Sequence, residues 1–544
     1  HQQVVVNQPV VDPNLHARRF VAEERTKDAY AFSAEGKDSD TAAVSTITGS
    51  GVYNIVGDIR AADGGILTLD LAEGSRFEGK AVLDSGNDSQ STLTMAKNSL
   101  WTLTGNSQLN SLQNEQSVID MTGDNKAFST LSVETLTGNG GTIIMDIDGS
   151  QVDASDKIYV TGDFSGSQTL SLKEINGLDS DPGIGQAAEN TVLASVNGSG
   201  TFTADDQEGT LYWQRYELGQ KDSAASGYTT DWYLKGITNL NLPTTSVEAI
   251  AASGALAYHT WRDHDQLLQR LGDLRQHGRE EEGVWVRVKG GKLSRSDQFE
   301  FENKYTQYEL GYDQKLKSTP AYTRYAGISF SYLDGDSSYS SGSGENKVKA
   351  LNIYGTQIGA KGHYLDLVLK YSQLDNDFKV FDTSGNKITG DYDQNGLSIS
   401  AEYGRKNNLK NNWYIEPQAQ LTFGRLRGTD YTTSNGIRVD QDGIDSFVGR
   451  IGFNIGKDIN EKTNIYLKAN LMHEFGGGYN ASMVDASGTK ARLDRDFDDT
   501  WFEYGLGAAV QTGKNNYFYV DVERSAGSDY KKDWQWNVGA RWSF

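Results

Sequence analysis

The closing stretch WQWNVGARWSF, residues 534–544, alternates without a break. Trp534, Trp536, Val538, Ala540, Trp542 and Phe544 fall on one side; Gln535, Asn537, Gly539, Arg541 and Ser543 fall on the other. A period of two marks a strand with one apolar and one polar face. About twelve such segments follow residue 283: Val284–Val288, Tyr308–Tyr312, Ala326–Tyr332, Leu351–Gly355, Leu365–Tyr371, Leu397–Tyr403, Trp413–Phe423, Phe447–Ile455, Ile465–Leu471, Phe502–Val510, Phe518–Val522 and the last. The chain has no run of about 18 apolar residues, so it offers no transmembrane helix. A closed barrel is the other structure that can cross a bilayer with every backbone group paired.

The connections sort by length. Leu293–Asn303, Asp334–Lys347, Asn376–Asn395, Arg425–Asp445 and Phe475–Asp498 read as long polar loops. Lys315–Ala321, Gly359–Gly362, Asn407–Asn412, Lys457–Lys462 and Gly513–Asn516 read as short turns. Long loops on one mouth and short turns on the other are expected of an outer-membrane barrel, and a soluble sandwich gives no reason to sort them so. Six prolines and 28 tyrosines suit long ladders with aromatic strand ends. Phe544 would end the closing strand facing lipid at the periplasmic rim, and that strand must pair with the first. A net charge of −22 argues against nucleic acid; its simplest reading is a solvated, self-repelling surface. With no cysteine, thiolate chemistry and disulfides are excluded. HQQVVVNQPVV lacks the basic and apolar regions of a signal peptide, so the chain reads as processed or as a fragment.

The period changes near Pro243. Thr245 and Glu248 have capping-box spacing, and an Ala- and Leu-rich stretch from Ser246 predicts one helix to about Leu271, stopped by Gly272. Roughly 26 residues would span ~40 Å. Upstream, residues from about 41 to 240 are rich in Gly, Ser, Thr and Asn, with short apolar alternations at loose intervals. That suggests a β-solenoid, although the irregular period leaves a β-sandwich open.

Several stretches resemble known sequences. Asn537-x-Gly539-x-x-Trp542-x-Phe544 resembles the C-terminal signal by which outer-membrane barrels are recognised for assembly. Arg270-Leu-Gly-Asp-Leu-Arg275, Gly283-Val-Trp-Val-Arg287, Gly290-Gly291 and Gly311-Tyr312-Asp313 resemble the translocator domain of type Va autotransporters over 244–544. Leu136-Thr-Gly-Asn-Gly-Gly-Thr142, Met145-Asp-Ile-Asp148, Asp156-Lys157, Trp232-Tyr-Leu234 and, upstream, Ser99–Ser107 resemble the pertactin-like C-terminal passenger region over about 90–240. The resemblance implies a right-handed β-helix with an autochaperone end, a pore-spanning linker and a twelve-stranded barrel in the outer membrane of a diderm bacterium. It also implies insertion by the barrel-assembly machinery, and transport biased outward by folding of the stalk, with no nucleotide required.

Catalytic signals are sparse. The histidines are His1, His16, His259, His264, His277, His363 and His473. Asp84-Ser85-Gly86 is reminiscent of a serine-protease motif but lacks a preceding glycine and a nearby histidine; a polar turn is the simpler reading. MDIDGSQVDASD hints at calcium through Asp146 and Asp148, but Gln151 stands where an EF-hand needs glycine, which favours a solvated acidic turn. Arg427-Gly428 is followed by Thr429, so no RGD motif occurs. Some autotransporters cleave their linker between two asparagines in the pore; here the equivalent positions are Asp265 and Gln266, which places such cleavage in doubt. The carboxylates Asp366, Glu402, Glu416, Glu503 and Glu523 could act there, but with Arg287, Arg450 and Arg541 they read more simply as a polar, water-filled lumen. Asp263 and Asp265, beside Arg262, would face the pore, since lipid would not tolerate them.

The expected architecture is all-β: a head over 1–40, a solenoid end with autochaperone region over 41–243, a linker over 244–275 with Ser246, Asp265, Gln266, Arg270, Gly272 and Arg275 as its marked positions, and a barrel over 276–544. The expected function is translocation and display of the chain's own N-terminal passenger, an adhesin or aggregation factor, without enzyme activity or cofactor. Expected partners are outer-membrane lipid and lipopolysaccharide, the barrel-assembly machinery, periplasmic chaperones, and host surfaces or sister cells. The rivals are the translocator end of a secreted enzyme whose catalytic domain lies upstream of residue 1, and a porin-like channel.

Overall fold

The computed structural model describes residues 18–21, 30–36, 43–49, 51–84, 88–123, 127–176, 189–271, 282–513 and 515–544. Ser85, Gly86, Gly272, Arg275, His1, His16 and His277 lie outside them, as does most of the head. The chain divides into two units, His1–Leu242 and Pro243–Phe544.

The first unit is a β-solenoid. Short strands stack in parallel as three sheets, and inward residues pile into columns. One column runs Ile47, Leu69, Leu93, Leu112, Leu136, Phe164. Another runs Ile55, Phe77, Trp101, Ile119, Ile143, Leu170. From Ile55 and Leu69 onward these side chains are at most 1% exposed. The chain between paired residues lengthens from Leu100↔Val118 to Ile158↔Ala194, which is why the sequence period looks loose while the columns stay in register. Trp101 stacks on Phe77 at 5.6 Å and donates its indole N–H to the Gly79 carbonyl at 2.9 Å.

The stack ends by changing direction. Val192–Gly198 pairs in parallel with Lys157–Phe164 and antiparallel with Thr230–Pro243, which continues the sheet through Tyr212–Asp222 and Asp206–Glu208. Asp231 accepts from the Ser195 and Ser223 hydroxyls, each at 2.7 Å. Phe164, Phe202 and Trp232 close the core with ring contacts at 4.5 and 5.6 Å.

The acidic turn is exposed over Ser150–Asp153, but two of its carboxylates, Asp148 and Asp156, are buried. Asp156 is fully buried and accepts from the Ser129 amide at 2.6 Å and the Asp146 amide at 2.7 Å. Asp148 accepts from the Ser150 amide and hydroxyl at 2.8 and 2.5 Å. Asp148 caps its own turn, whereas Asp156 serves the backbone of the adjacent rung at Ser129, a contact the local sequence cannot reveal.

The second unit is a closed antiparallel barrel of twelve strands: β1 Gly283–Arg295, β2 Phe301–Ser318, β3 Tyr322–Tyr339, β4 Gly342–Gly359, β5 His363–Phe381, β6 Lys387–Arg405, β7 Trp413–Leu426, β8 Ile444–Asn460, β9 Thr463–Glu474, β10 Thr500–Gln511, β11 Asn516–Ala526 and β12 Tyr530–Ser543. β12 pairs with β1 from Ser543↔Gly283 to Tyr530↔Arg295, leaving no free edge. Outward residues form apolar rows across neighbouring strands, such as Val286, Leu310, Phe330, Leu351, Tyr371 and Leu397.

The expected long loops are mostly strand. β3 and β4 continue to a turn at Ser340–Ser341, and β5 and β6 run to Phe381 and from Lys387. Beyond the apolar belt the outward face turns polar while Leu374, Phe378, Val380, Ile388 and Tyr392 face inward and are buried, so the apolar phase switches sides and the ladder continues. The two longest connections fold into a sheet of their own: Thr429–Thr432, Arg438–Gln441, Gly478–Val484 and Lys490–Asp496.

The linker departs from the single predicted helix. α1 spans Thr245–Arg262 and α2 spans Leu267–Leu271, with Asp263–Gln266 between them. The N-cap is Thr244, one residue before the expected box: its hydroxyl accepts from the Val247 amide at 3.4 Å.

Candidate functional site

From Ser246 to Arg262, every residue of α1 except Glu248 is buried within the barrel. Its sequence explains the fit. Ala249, Ala251, Ala252, Ala255 and Ala257 favour helix and keep its girth small. Ser246 lies near the long-loop mouth, where its hydroxyl accepts from the Asn435 side-chain amide at 2.9 Å. Deeper in, Tyr258 donates to Glu474 at 2.6 Å. Trp261 occupies a notch over Gly396, where a β-carbon would lie 2.0 Å from its indole nitrogen.

The break is built of charge. Asp263 meets Lys289 at 3.0 Å and Lys532 at 3.3 Å; Asp265 meets Arg287 at 2.5 Å and Lys289 at 3.2 Å. Arg287 also pairs with Glu309. The Lys370 ammonium donates to the Asp263 carbonyl at 3.1 Å, taking a bond that would otherwise propagate the helix. His264 Nε2 lies 2.9 Å from the Ser398 hydroxyl. Barrel strands thus capture the charged segment on several sides and stop α1.

α2 restarts under barrel control. The Gln266 backbone amide donates to the Gln269 side-chain oxygen Oε1 at 3.0 Å, and the Leu267 amide donates to Glu402 at 2.9 Å. Arg270 donates to both oxygens of Asp366 at 2.8 Å, and Tyr519 donates to the Arg270 carbonyl at 2.6 Å. Glu402 also meets Tyr364 at 2.5 Å and Arg450 at 3.2 Å. Glu523 joins Lys468, Lys532 and the Gln269 side-chain amide at 2.6–2.8 Å. Glu503 accepts from the Trp501 indole at 3.0 Å, and Glu416 from the Gln418 amide at 2.8 Å. Arg541 grips Asp313 at 2.5 and 2.6 Å, both fully buried.

At the C-terminus, Asn537 points inward and donates to the Gln269 carbonyl and Asp521, each at 3.0 Å. Gly539 leaves room for Tyr519, whose ring a β-carbon would meet at 2.0 Å. Trp542 and Phe544 face outward, and the Phe544 amide donates to the Glu282 carbonyl at 3.0 Å. The lumen also uses Lys289, Glu309, Lys468, Glu474 and Lys532, which the sequence reading did not single out. Period two could have found most of them: Lys289 shares the inward face of Arg287, and Glu309 that of Asp313.

The lumen around the break retains polar voids of about 40 and 30 Å³, room for about one water each. From the long-loop mouth to α2 the pore is filled by a plug bonded to its wall, and a cavity of about 1200 Å³ remains at the short-turn mouth, lined by Tyr325, Arg405, Lys406 and Asn460. Among the described residues, no group of three or more His, Cys, Asp or Glu side chains could hold a metal ion.

Comparison with known proteins matches both units. Residues 284–523 match the family described as Autotransporter beta-domain, and residues 108–236 the family described as Pertactin. Probable autotransporter YcgV of Escherichia coli (strain K12) is 28% identical over 568 residues, covering 96% of this chain and 57% of that protein. The Pertactin autotransporter of Bordetella bronchiseptica is 28% identical over 544 residues, covering 89% and 56%. The Serine protease pet autotransporter of Escherichia coli O44:H18 is 26% identical over 469 residues, covering 84% and 34%. The chain spans about half, or less, of the length of these relatives.

Proposed function

This chain belongs to the type Va autotransporters, a pertactin-like β-solenoid joined to an outer-membrane barrel, and from that premise we propose that its residues carry their own passenger through the barrel and hold it on the cell surface. The observation that carries this reading is the linker. It enters at the long-loop mouth, occupies the lumen as α1 and α2 down to Leu271, and is bonded to β1, β5, β6, β11 and β12. A channel for solutes needs an open lumen, so the plug favours the secretion reading over a porin.

The barrel reaches the membrane through periplasmic chaperones and the barrel-assembly machinery, which would read Asn537, Gly539, Trp542 and Phe544 at the end of β12. Its apolar belt faces lipid and lipopolysaccharide. The displayed passenger acts as an adhesin or aggregation factor toward host surfaces or sister cells, and the residues present perform no catalysis. A relative that shares this region is named a serine protease, so the solenoid end and barrel are common to passengers of different activity.

The test is protease shaving of intact cells displaying the chain, followed by immunoblotting of the outer membrane. Removal of residues up to the unit boundary at Leu242 should leave a heat-modifiable fragment of about 33 kDa, from roughly 300 residues at ~110 Da each. Complete digestion, or complete protection without a heat-modifiable band, would refute surface display on a barrel.

A further inference from the structure

We infer that the sheet formed by Thr429–Thr432, Arg438–Gln441, Gly478–Val484 and Lys490–Asp496 is a lid that closes onto α1 only after the passenger has left the pore. The inference rests on the secretion reading above and adds to it the order of events at the outer mouth.

The sheet is separate from the barrel ladder. Its inward side chains Val439, Tyr479, Ala481 and Met483 are at most 1% exposed. Tyr479 and Gln441 of this sheet are set against α1. Gly254 is the point of closest approach: a β-carbon there would lie 2.6 Å from the Tyr479 hydroxyl oxygen and 3.0 Å from the Gln441 side-chain oxygen. Leucine or phenylalanine at this helix position would exclude the sheet. One turn deeper, Tyr258 stacks on Phe497 at 5.2 Å, and Phe497 meets Tyr479 at 5.6 Å. Phe299, from the β1–β2 connection, packs against both Tyr479 and Phe497 at 5.7 and 5.6 Å. Arg295 ties this connection to the helix: it meets His259 at 3.0 Å and Asp297 at 2.6 Å. On the far side, Ser253 meets Tyr392 at 2.8 Å, and Tyr392 stacks on Tyr431 of the sheet at 4.6 Å.

Two physical consequences follow. Without α1, the inner face of the sheet would present apolar and aromatic surface to a wet lumen, which is unfavourable in proportion to its area. The closed form therefore depends on the helix as a ligand, and the helix shifts the population toward closure. A passenger segment in transit must also occupy the space that the sheet and α1 now fill. Closure and passage exclude each other, and the missing side chain at Gly254 is what lets the lid approach the helix.

The experiment uses the full chain, which contains no cysteine to confuse it. Ser246→Cys and Asn435→Cys introduce thiols where the side chains now hydrogen-bond at 2.9 Å. A short bis-thiosulfonate reagent is applied to cells during a pulse–chase, and each sample is divided between a gel for the bridged species and external protease for passenger exposure. The bridge should appear with, or after, protease accessibility. A bridge formed while the passenger is still protected, or none on the fully displayed chain, overturns the lid; a passenger that never becomes accessible overturns the secretion reading instead. In parallel, Gly254→Leu added to the thiol pair should cut the yield of the bridge on the fully displayed chain several-fold while the barrel stays heat-modifiable. A parental yield of bridge from that heat-modifiable variant also overturns the proposal. If that variant does not insert, the thiol pair alone decides.

Discussion

Asp146 and Asp156 act at the scale of single groups. Burial pushes Asp156 up to about 7 and Asp146 up to about 6, against an ordinary 3.8. In the unfolded chain both release their protons near pH 4. Between about pH 4 and pH 7 the folded solenoid therefore holds more protons than the unfolded chain, and its stability falls as pH rises. The displayed passenger should need more urea to become protease-sensitive at pH 5 than at pH 7.5; an equal requirement would show that these carboxyls do not govern it. Asp146→Asn should flatten the lower part of this slope by ~1–2 kcal/mol, reduced by partial solvent screening. In the barrel, Arg541→Ala would leave the fully buried Asp313 without its partner. A loss of about 3–5 kcal/mol is expected, read as unfolding of the heat-modifiable form at lower temperature, with much of it restored by Asp313→Asn in the same chain. At this scale the sequence was partly legible. Alternation marks which face Asp313 and Arg541 occupy, but nothing in the local pattern of MDIDGSQVDASD shows that parallel stacking delivers the Ser129 amide to Asp156.

At the scale of elements, the linker shows why helical propensity alone misreads a pore. From Ser246 to Leu271 the pattern favours one helix, yet Asp263–Gln266 leaves it because Lys370 takes the Asp263 carbonyl and Arg287, Lys289 and Lys532 take the carboxylates. Lys370 and Lys532 come from strands 107 and 269 residues away, and Arg287 and Lys289 from β1, 22 and 26 residues on, so none lies within the local helical pattern. Strand ends were obscured for a related reason: Asp391 and Asp393 point outward above the belt, so β6 continues where its apolar alternation stops. Packing of α1 depends on the notch at Gly396. Gly396→Leu should expel the Trp261 ring and raise pore leakage, measured as sensitivity to a bulky antibiotic, while Gly396→Ala should have a smaller effect. Equal resistance in Gly396→Leu and the parent would mean that Trp261 does not set the seat of the helix. The N-cap offers a milder test: Thr244→Ala should cost ~1 kcal/mol of helix stability, visible as faster exchange of the Val247 amide without loss of the barrel.

Across the whole molecule, closure decides whether any of the rest can form. β1 and β12 lie at opposite ends of the translocator sequence, and their pairing from Ser543↔Gly283 to Tyr530↔Arg295 converts an open sheet into a barrel. Each unpaired amide or carbonyl left in hydrocarbon costs several kcal/mol, so an unclosed barrel exposes a whole row of such groups and has no stable membrane form. The same strand supplies Asn537 and Lys532 to the plug, one to the Gln269 carbonyl and one to Asp263. Closing the barrel and seating the linker are therefore one event from two sides. Removal of Tyr530–Phe544 should abolish both heat-modifiability and passenger exposure together. Asn537→Ala should separate them: the barrel closes, because the β12 backbone is intact, but the linker loses a buried bond and the pore leaks. If Asn537→Ala instead lost the barrel as completely as the truncation does, the side chain would be needed for insertion itself, and the plug would have to be placed before the last strand closes.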